Sequence, residues 1–172
     1  MHNKYYYLLS SLPYLVFEIK KQITREDFLN ESEKWLSKKD IATLKNINFN
    51  NLTHEEKDPD ILKEWKNFNT FLKEEIKTMR MAQKTHSKEL LSENLKAIYE
   101  EKNPLLMEKR FEKTRWDFIE QKEFSYNFDI NSLILYFLKL QILERLLAFN
   151  KVEGAKIFEE LSEVHPHTYF TE

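Results

Sequence analysis

One glycine, Gly154, in 172 residues is the strongest constraint on what this chain can become. Tight hairpins draw on glycine for backbone conformations that other residues resist, and strands favour β-branched side chains. Here leucine and isoleucine far outnumber the three valines, Val16, Val152 and Val164. The dinucleotide and P-loop phosphate fingerprints both need glycines at fixed spacing, so a single late glycine excludes them. The chain is about one domain long, and at that size folding buries roughly 70% of the unfolded surface. The composition therefore predicts an all-α fold, an antiparallel helical bundle or array of about six to seven helices in one domain over 1–172, with an N-terminal subregion 1–57.

Helix signals recur along the chain. Tyr5-Tyr6-Tyr7 with Leu8, Leu9 and Leu12 has no clean period and reads as a short helix or extended segment ending near Pro13. Thr24 with Asp27 has capping-box spacing and predicts a helix that buries Phe28, Trp35 and Leu36; Ser37 with Asp40 repeats the device before Ile41, Leu44 and Ile47. An asparagine-rich loop, 46–51, follows. Asp58-Pro59 is a strong helix start. Beyond it Ile61, Trp65, Phe68, Leu72, Ile76 and Met79 recur at helical spacing as one apolar stripe. Continued to Lys84, that helix spans roughly 37 Å, so it either forms the backbone of the fold or makes the molecule elongated. Leu90, Leu91, Leu95, Ile98 and Tyr99 mark another helix. Asn103-Pro104 then opens one that presents Met107, Phe111, Phe118 and Ile119. Asp129 or Asn131 caps the most hydrophobic helix, which runs to Phe149, and a last amphipathic helix carries Ile157, Phe158 and Leu161. Connections of a few residues predict antiparallel neighbours around one core.

Charge is nearly balanced, with 27 Lys and Arg against 29 Asp and Glu. A net charge of −2 argues against bulk nucleic-acid binding, which needs a net basic face. The exception is local. Lys73, Lys77, Arg80, Lys84 and Lys88 stand against only Glu74 and Glu75, whereas the tail 151–172 is acidic. The basic stretch is either a solvated helix face or a docking surface for an acidic partner. Tyr5 to Phe17 imitates a signal sequence poorly, because Ser10, Ser11 and Pro13 interrupt it and no small-residue cleavage site follows. Leu133 to Phe149 contains Lys139, Gln141, Glu144 and Arg145, each costly at a bilayer centre. The expectation is a soluble, cytoplasmic protein without direct membrane insertion.

No catalytic or metal constellation emerges. Cysteine is absent, and His2, His54, His86, His165 and His167 fall in loops, joints or termini. A di-iron bundle needs Glu-x-x-His on facing helices, but Pro166 stands three residues after Glu163. No serine occupies a nucleophile elbow. Neither catalysis, a metal nor a cofactor is expected. Gln141, Glu144, Arg145 and Ala148 share one narrow face of an otherwise apolar helix, with Lys139 well around the wheel. The favoured reading is an exposed edge; the alternative is buried groups paired to another helix, for instance with Arg115, or a surface for a second protein. Trp35, Trp65 and Trp116 read mostly as core, and any aromatic left outside reads as a partner anchor.

Three stretches carry a family resemblance. Tyr5 to Pro13, containing Leu12-Pro13, resembles the opening of an uncharacterised domain family encoded beside subunits of bacterial V/A-type ATPases. Arg115-Trp116 with Phe118-Ile119 resembles that family's arginine-tryptophan helix. The run from Leu138 to Arg145, with Lys139, Gln141, Glu144 and Arg145, is similar to its lysine-leucine-glutamine helix. What the resemblance implies is a non-catalytic, all-helical component or accessory of the rotary ATPase, likened to its helical funnel, the coupler that joins the central stalk to the membrane ring. The implied partners are ATPase subunits on the stalk or ring side, with the chain held peripherally at the inner membrane through them. This chain is short for a complete funnel, so the resemblance allows either part of a coupler or an assembly factor. The rival expectation is an independent helical adaptor that binds an acidic partner through the 73–88 basic face.

Overall fold

In the computed structural model, residues 3–19, 23–85, 96, 98 and 100–149 are described, and they contain six α-helices and no strand. These are α1 (Asn3–Ser11), α2 (Arg25–Trp35), α3 (Lys38–Asn46), α4 (Asp60–Thr85), α5 (Pro104–Glu123) and α6 (Ile130–Ala148). The all-α expectation holds. The helices read from Leu90 to Tyr99 and after Val152 lie outside the described residues, apart from helical Lys96 and Ile98.

Local chemistry sets the helix ends. Thr24 accepts from the Asp27 amide at 3.0 Å while Asp27 accepts from the Thr24 amide at 3.2 Å, closing the predicted capping box. Ser37 caps α3 through the Asp40 amide, and Asp129, not Asn131, caps α6 through the Ser132 amide. Asn103 accepts from the Leu105 amide ahead of Pro104. Each cap satisfies amides that the first helical turn leaves free, for about 1 kcal/mol.

α6 is the axis of the molecule, with Leu133, Ile134, Leu135, Phe137, Leu138, Leu140, Ile142 and Leu143 all buried. Its sides meet α5, α2, α4 and α3. An apolar side chain buried this completely contributes about 1.5–3 kcal/mol, so α6 supplies the largest share of the main core. Phe28 of α2 stacks on Tyr136 and Phe137 at 5.4 Å in each case. Trp65 of α4 packs among Phe49, Phe68 and Phe118.

Two expectations need correction. The buried side chains form not one cluster but two, the second built from Leu72, Met79, Ala82, Ile98 and Phe111. α4 is long enough for its first half to serve the main core and its second half the other, with Phe68 touching both. Trp35, expected in the core, is 41% exposed because it stacks on Tyr7 at the surface, 5.9 Å between ring centroids.

Candidate functional site

The polar residues of α6 bring a third correction, to the reading of that face as an exposed edge. Gln141 is buried and Arg145 reaches inward to a buried partner, while Glu144 is half-buried and only Ala148 is exposed; Lys139, elsewhere on the helix, is buried too. Gln141 sits where the chain between α3 and α4 crosses α6. Its Oε1 accepts from the Phe49 amide at 2.9 Å and its Nε2 donates to the Ile47 carbonyl at 3.4 Å. One amide side chain thus satisfies two backbone groups of a loop that has no helical partner there, and this holds Phe49 against the core.

Phe49 in turn lies beside two cations. The guanidinium carbons of Arg115 and Arg145 are each 5.3 Å from its ring centroid. Both arginines donate to the same oxygen of Glu112, Arg115 at 3.0 Å and Arg145 at 2.9 Å, and Arg115 also donates to Asn69 of α4 at 2.9 Å. Glu112 is completely buried, and its second oxygen has no hydrogen-bond partner among the described residues. Burial pushes its carboxyl above the usual range, an effect that the two guanidiniums counter only in part. Burial also lowers the affinity of Arg115 for its proton, yet a guanidinium stays charged in any accessible range. The alternative reading, a pair across helices, holds, but it joins Arg145 to Glu112, with Arg115 as a second donor rather than the partner. Glu144 faces Arg25 of α2, at 3.6 Å.

The three stretches carrying the resemblance all contribute to the main core. Lys139 donates to Glu123 at 2.6 Å and stands 4.9 Å from the Trp116 ring centroid, and the Trp116 indole donates to Glu120 at 2.7 Å. Phe17 meets the Trp116 ring edge-on, and the Tyr136 hydroxyl donates to the Pro13 carbonyl at 2.9 Å. Leu12 packs against the same core. Leu12, Pro13, Arg115, Trp116, Lys139, Gln141, Glu144 and Arg145 all hold the fold through packing, hydrogen bonds or ion pairs.

The basic face lies next to them. Lys73, Lys77, Arg80 and Lys84 are exposed along α4; Lys88 lies outside the described residues. Together with Arg115 and Arg145 they line an open groove of about 630 Å³, whose acidic members are Glu74 and Glu108 and whose apolar members are Phe49, Ile76 and Met81. Glu74 is already paired to Lys77 at 3.2 Å. Among the described residues no three His, Cys, Asp or Glu side chains gather as a metal site, and no helix is long and apolar enough to cross a membrane.

Sequence reasoning missed Glu112 and Phe49, which bring Arg115 and Arg145 together, and Asn69, which holds Arg115 to α4. Glu112 and Arg115 are three apart on one helix, the only signal available, and it is equally the signal of a solvated pair.

Fold and site define an all-α helical protein with a charged, cross-linked interior and a cationic groove on one side. The chain belongs to the family described as protein of unknown function (DUF2764), whose model matches residues 70–165. No curated protein and no solved structure matches it.

Proposed function

We propose that this chain is a non-catalytic structural component or assembly factor of a V/A-type rotary ATPase, serving as a funnel-like helical coupler between the central stalk and the membrane ring. The support is the resemblance of the three stretches, joined to one structural observation. Their polar side chains pair largely with one another and with backbone, as Arg115 and Arg145 do with Glu112, an arrangement that suits a mechanical part. The chain would then sit peripherally at the membrane, held by its partners. A tagged pull-down from the native cell, with the ratio of every retained ATPase component measured, tests the reading. A fixed ratio to the whole complex supports a stable component, and appearance with incomplete complexes alone supports an assembly factor. Recovery of no ATPase component from a lysate whose complex is intact overturns both.

A second reading, an independent adaptor for an acidic partner, is favoured by a different observation. Lys73, Lys77, Arg80 and Lys84 share one exposed face that opens on a single groove. Under it, Arg80→Glu with Lys84→Glu abolishes partner binding and leaves helix content intact.

A further inference from the structure

We infer that the groove between α4 and the Arg115 and Arg145 pair is a seat for one amphipathic acidic helix of a partner protein. The inference rests on reading the α4 basic face as a partner surface, and it holds whether or not that partner belongs to an ATPase.

Lys73, Lys77, Arg80 and Lys84 follow at spacings of four, three and four residues, so they form one row about 16 Å long, some three helical turns. Among the described residues Lys73, Arg80 and Lys84 make no ion pair, although ion pairs are plentiful elsewhere on the chain. Across the groove stand Arg115 and Arg145. Glu112 behind the wall offers both of them one oxygen and Glu108 in the lining also acts on Arg115, so in the groove itself six cations face only Glu74 and Glu108. Arg145 spends only its Nε on that bond, and its side chain is 38% exposed. The lining therefore carries a clear excess of positive charge, and an occupant with carboxylates is its electrostatic complement.

Apolar contacts distinguish a helix from a simple anion. Met81, 59% exposed, half-buried Ile76 and buried Phe49 line the same groove as the cations. A flexible thioether beside aliphatic surface suits leucine or phenylalanine from a second helix. A phosphate site usually adds the converging amides of a helix N-terminus, and no helix among the described residues begins in this lining. A partner helix with glutamates at spacings of four, three and four and apolar residues alongside would match both features.

The test uses the full chain and a labelled synthetic peptide of that pattern, about sixteen residues long, followed by fluorescence anisotropy at low and raised salt. Controls are a scrambled peptide of equal composition, inorganic tripolyphosphate, and vesicles of phosphatidylglycerol with phosphatidylcholine. The expected result is saturable binding of the patterned peptide, at least about tenfold tighter than the scrambled one, and weakened at least about tenfold by Arg80→Glu with Lys84→Glu. Met81→Ala, an exposed change that leaves the fold intact, weakens the patterned peptide alone. Equal binding of both peptides, lost in the double reversal, overturns the helix seat while leaving a basic partner surface standing. Unchanged binding in the double reversal overturns both. Binding of tripolyphosphate or vesicles in preference to the peptide overturns the proposal in favour of a phosphate-bearing ligand, and no binding of any probe also overturns it.

Discussion

Arg145 at the end of α6 donates from its Nε to Glu112 of α5 at 2.9 Å, across 33 residues of chain, and there meets Arg115 on the same carboxylate oxygen. Deleting one member of a buried ion cluster leaves the others uncompensated. Glu112→Ala should therefore lower stability by about 3–5 kcal/mol. Glu112→Gln, which still offers an oxygen to both arginines, should cost less. Urea unfolding of the two variants against the parent chain checks the order.

Gln141→Leu should cost about 1–3 kcal/mol, because it strands the Phe49 amide and the Ile47 carbonyl beneath the loop. Hydrogen exchange offers a local readout: the Phe49 amide should lose its protection well before the amides of α6.

Asp58 and Lys66 form a buried pair at 2.6 Å, and Asp58 also accepts from the Glu55 amide at 2.9 Å. Burial opposes ionisation of this carboxyl, but the Lys66 ammonium and the Glu55 amide outweigh it and hold the group below its ordinary value of 3.8. A depressed folded-state value means that the pair's contribution is present above the ordinary aspartate value and is lost as pH falls through the folded one. Asp58→Asn should lower stability at neutral pH and flatten its decline in acid. Thermal melts from neutral pH down to about pH 2 would show it.

The Tyr5 hydroxyl donates to Asp40 at 3.0 Å, and partial burial with that carboxylate pushes the phenol from 10.0 up to about 12. A raised folded-state value gives a contribution that is complete below pH 10.0 and lost as pH rises toward 12. Ultraviolet titration should show late-ionising tyrosines, Tyr5 and the more deeply buried Tyr136, of which Tyr5→Phe removes the earlier, and the variant's stability should fall less steeply over that alkaline window.

The tryptophans should separate by accessibility. Trp35→Ala should change stability by no more than about 1 kcal/mol, whereas Trp116→Ala, which empties a fully buried site, should cost about 3–5 kcal/mol. Acrylamide should quench the Trp35 fraction of the fluorescence first, leaving Trp65 and Trp116 shielded.

Local order was legible in the residues. One glycine, the capping pairs at Thr24 and Ser37, and the apolar stripe from Ile61 to Met79 specify helices and their ends, because caps and periodicity act within a few residues along the chain. The same reading marked Lys73, Lys77, Arg80 and Lys84 as one face, since helical spacing dictates which side chains align. That the face borders a groove shared with Arg115 and Arg145 was decided only by packing. Whether Gln141 and Arg145 look outward or inward depends on which helices surround α6, and a polar side chain follows its partner rather than its spacing. Glu112, Arg115 and Arg145 became one cluster, with Phe49 beside it, because α5, α6 and the loop after α3 converge there. Trp35 turned outward for the same kind of reason: α1 offers Tyr7 as a stacking partner at the surface while Phe28 and Phe137 fill the core behind it.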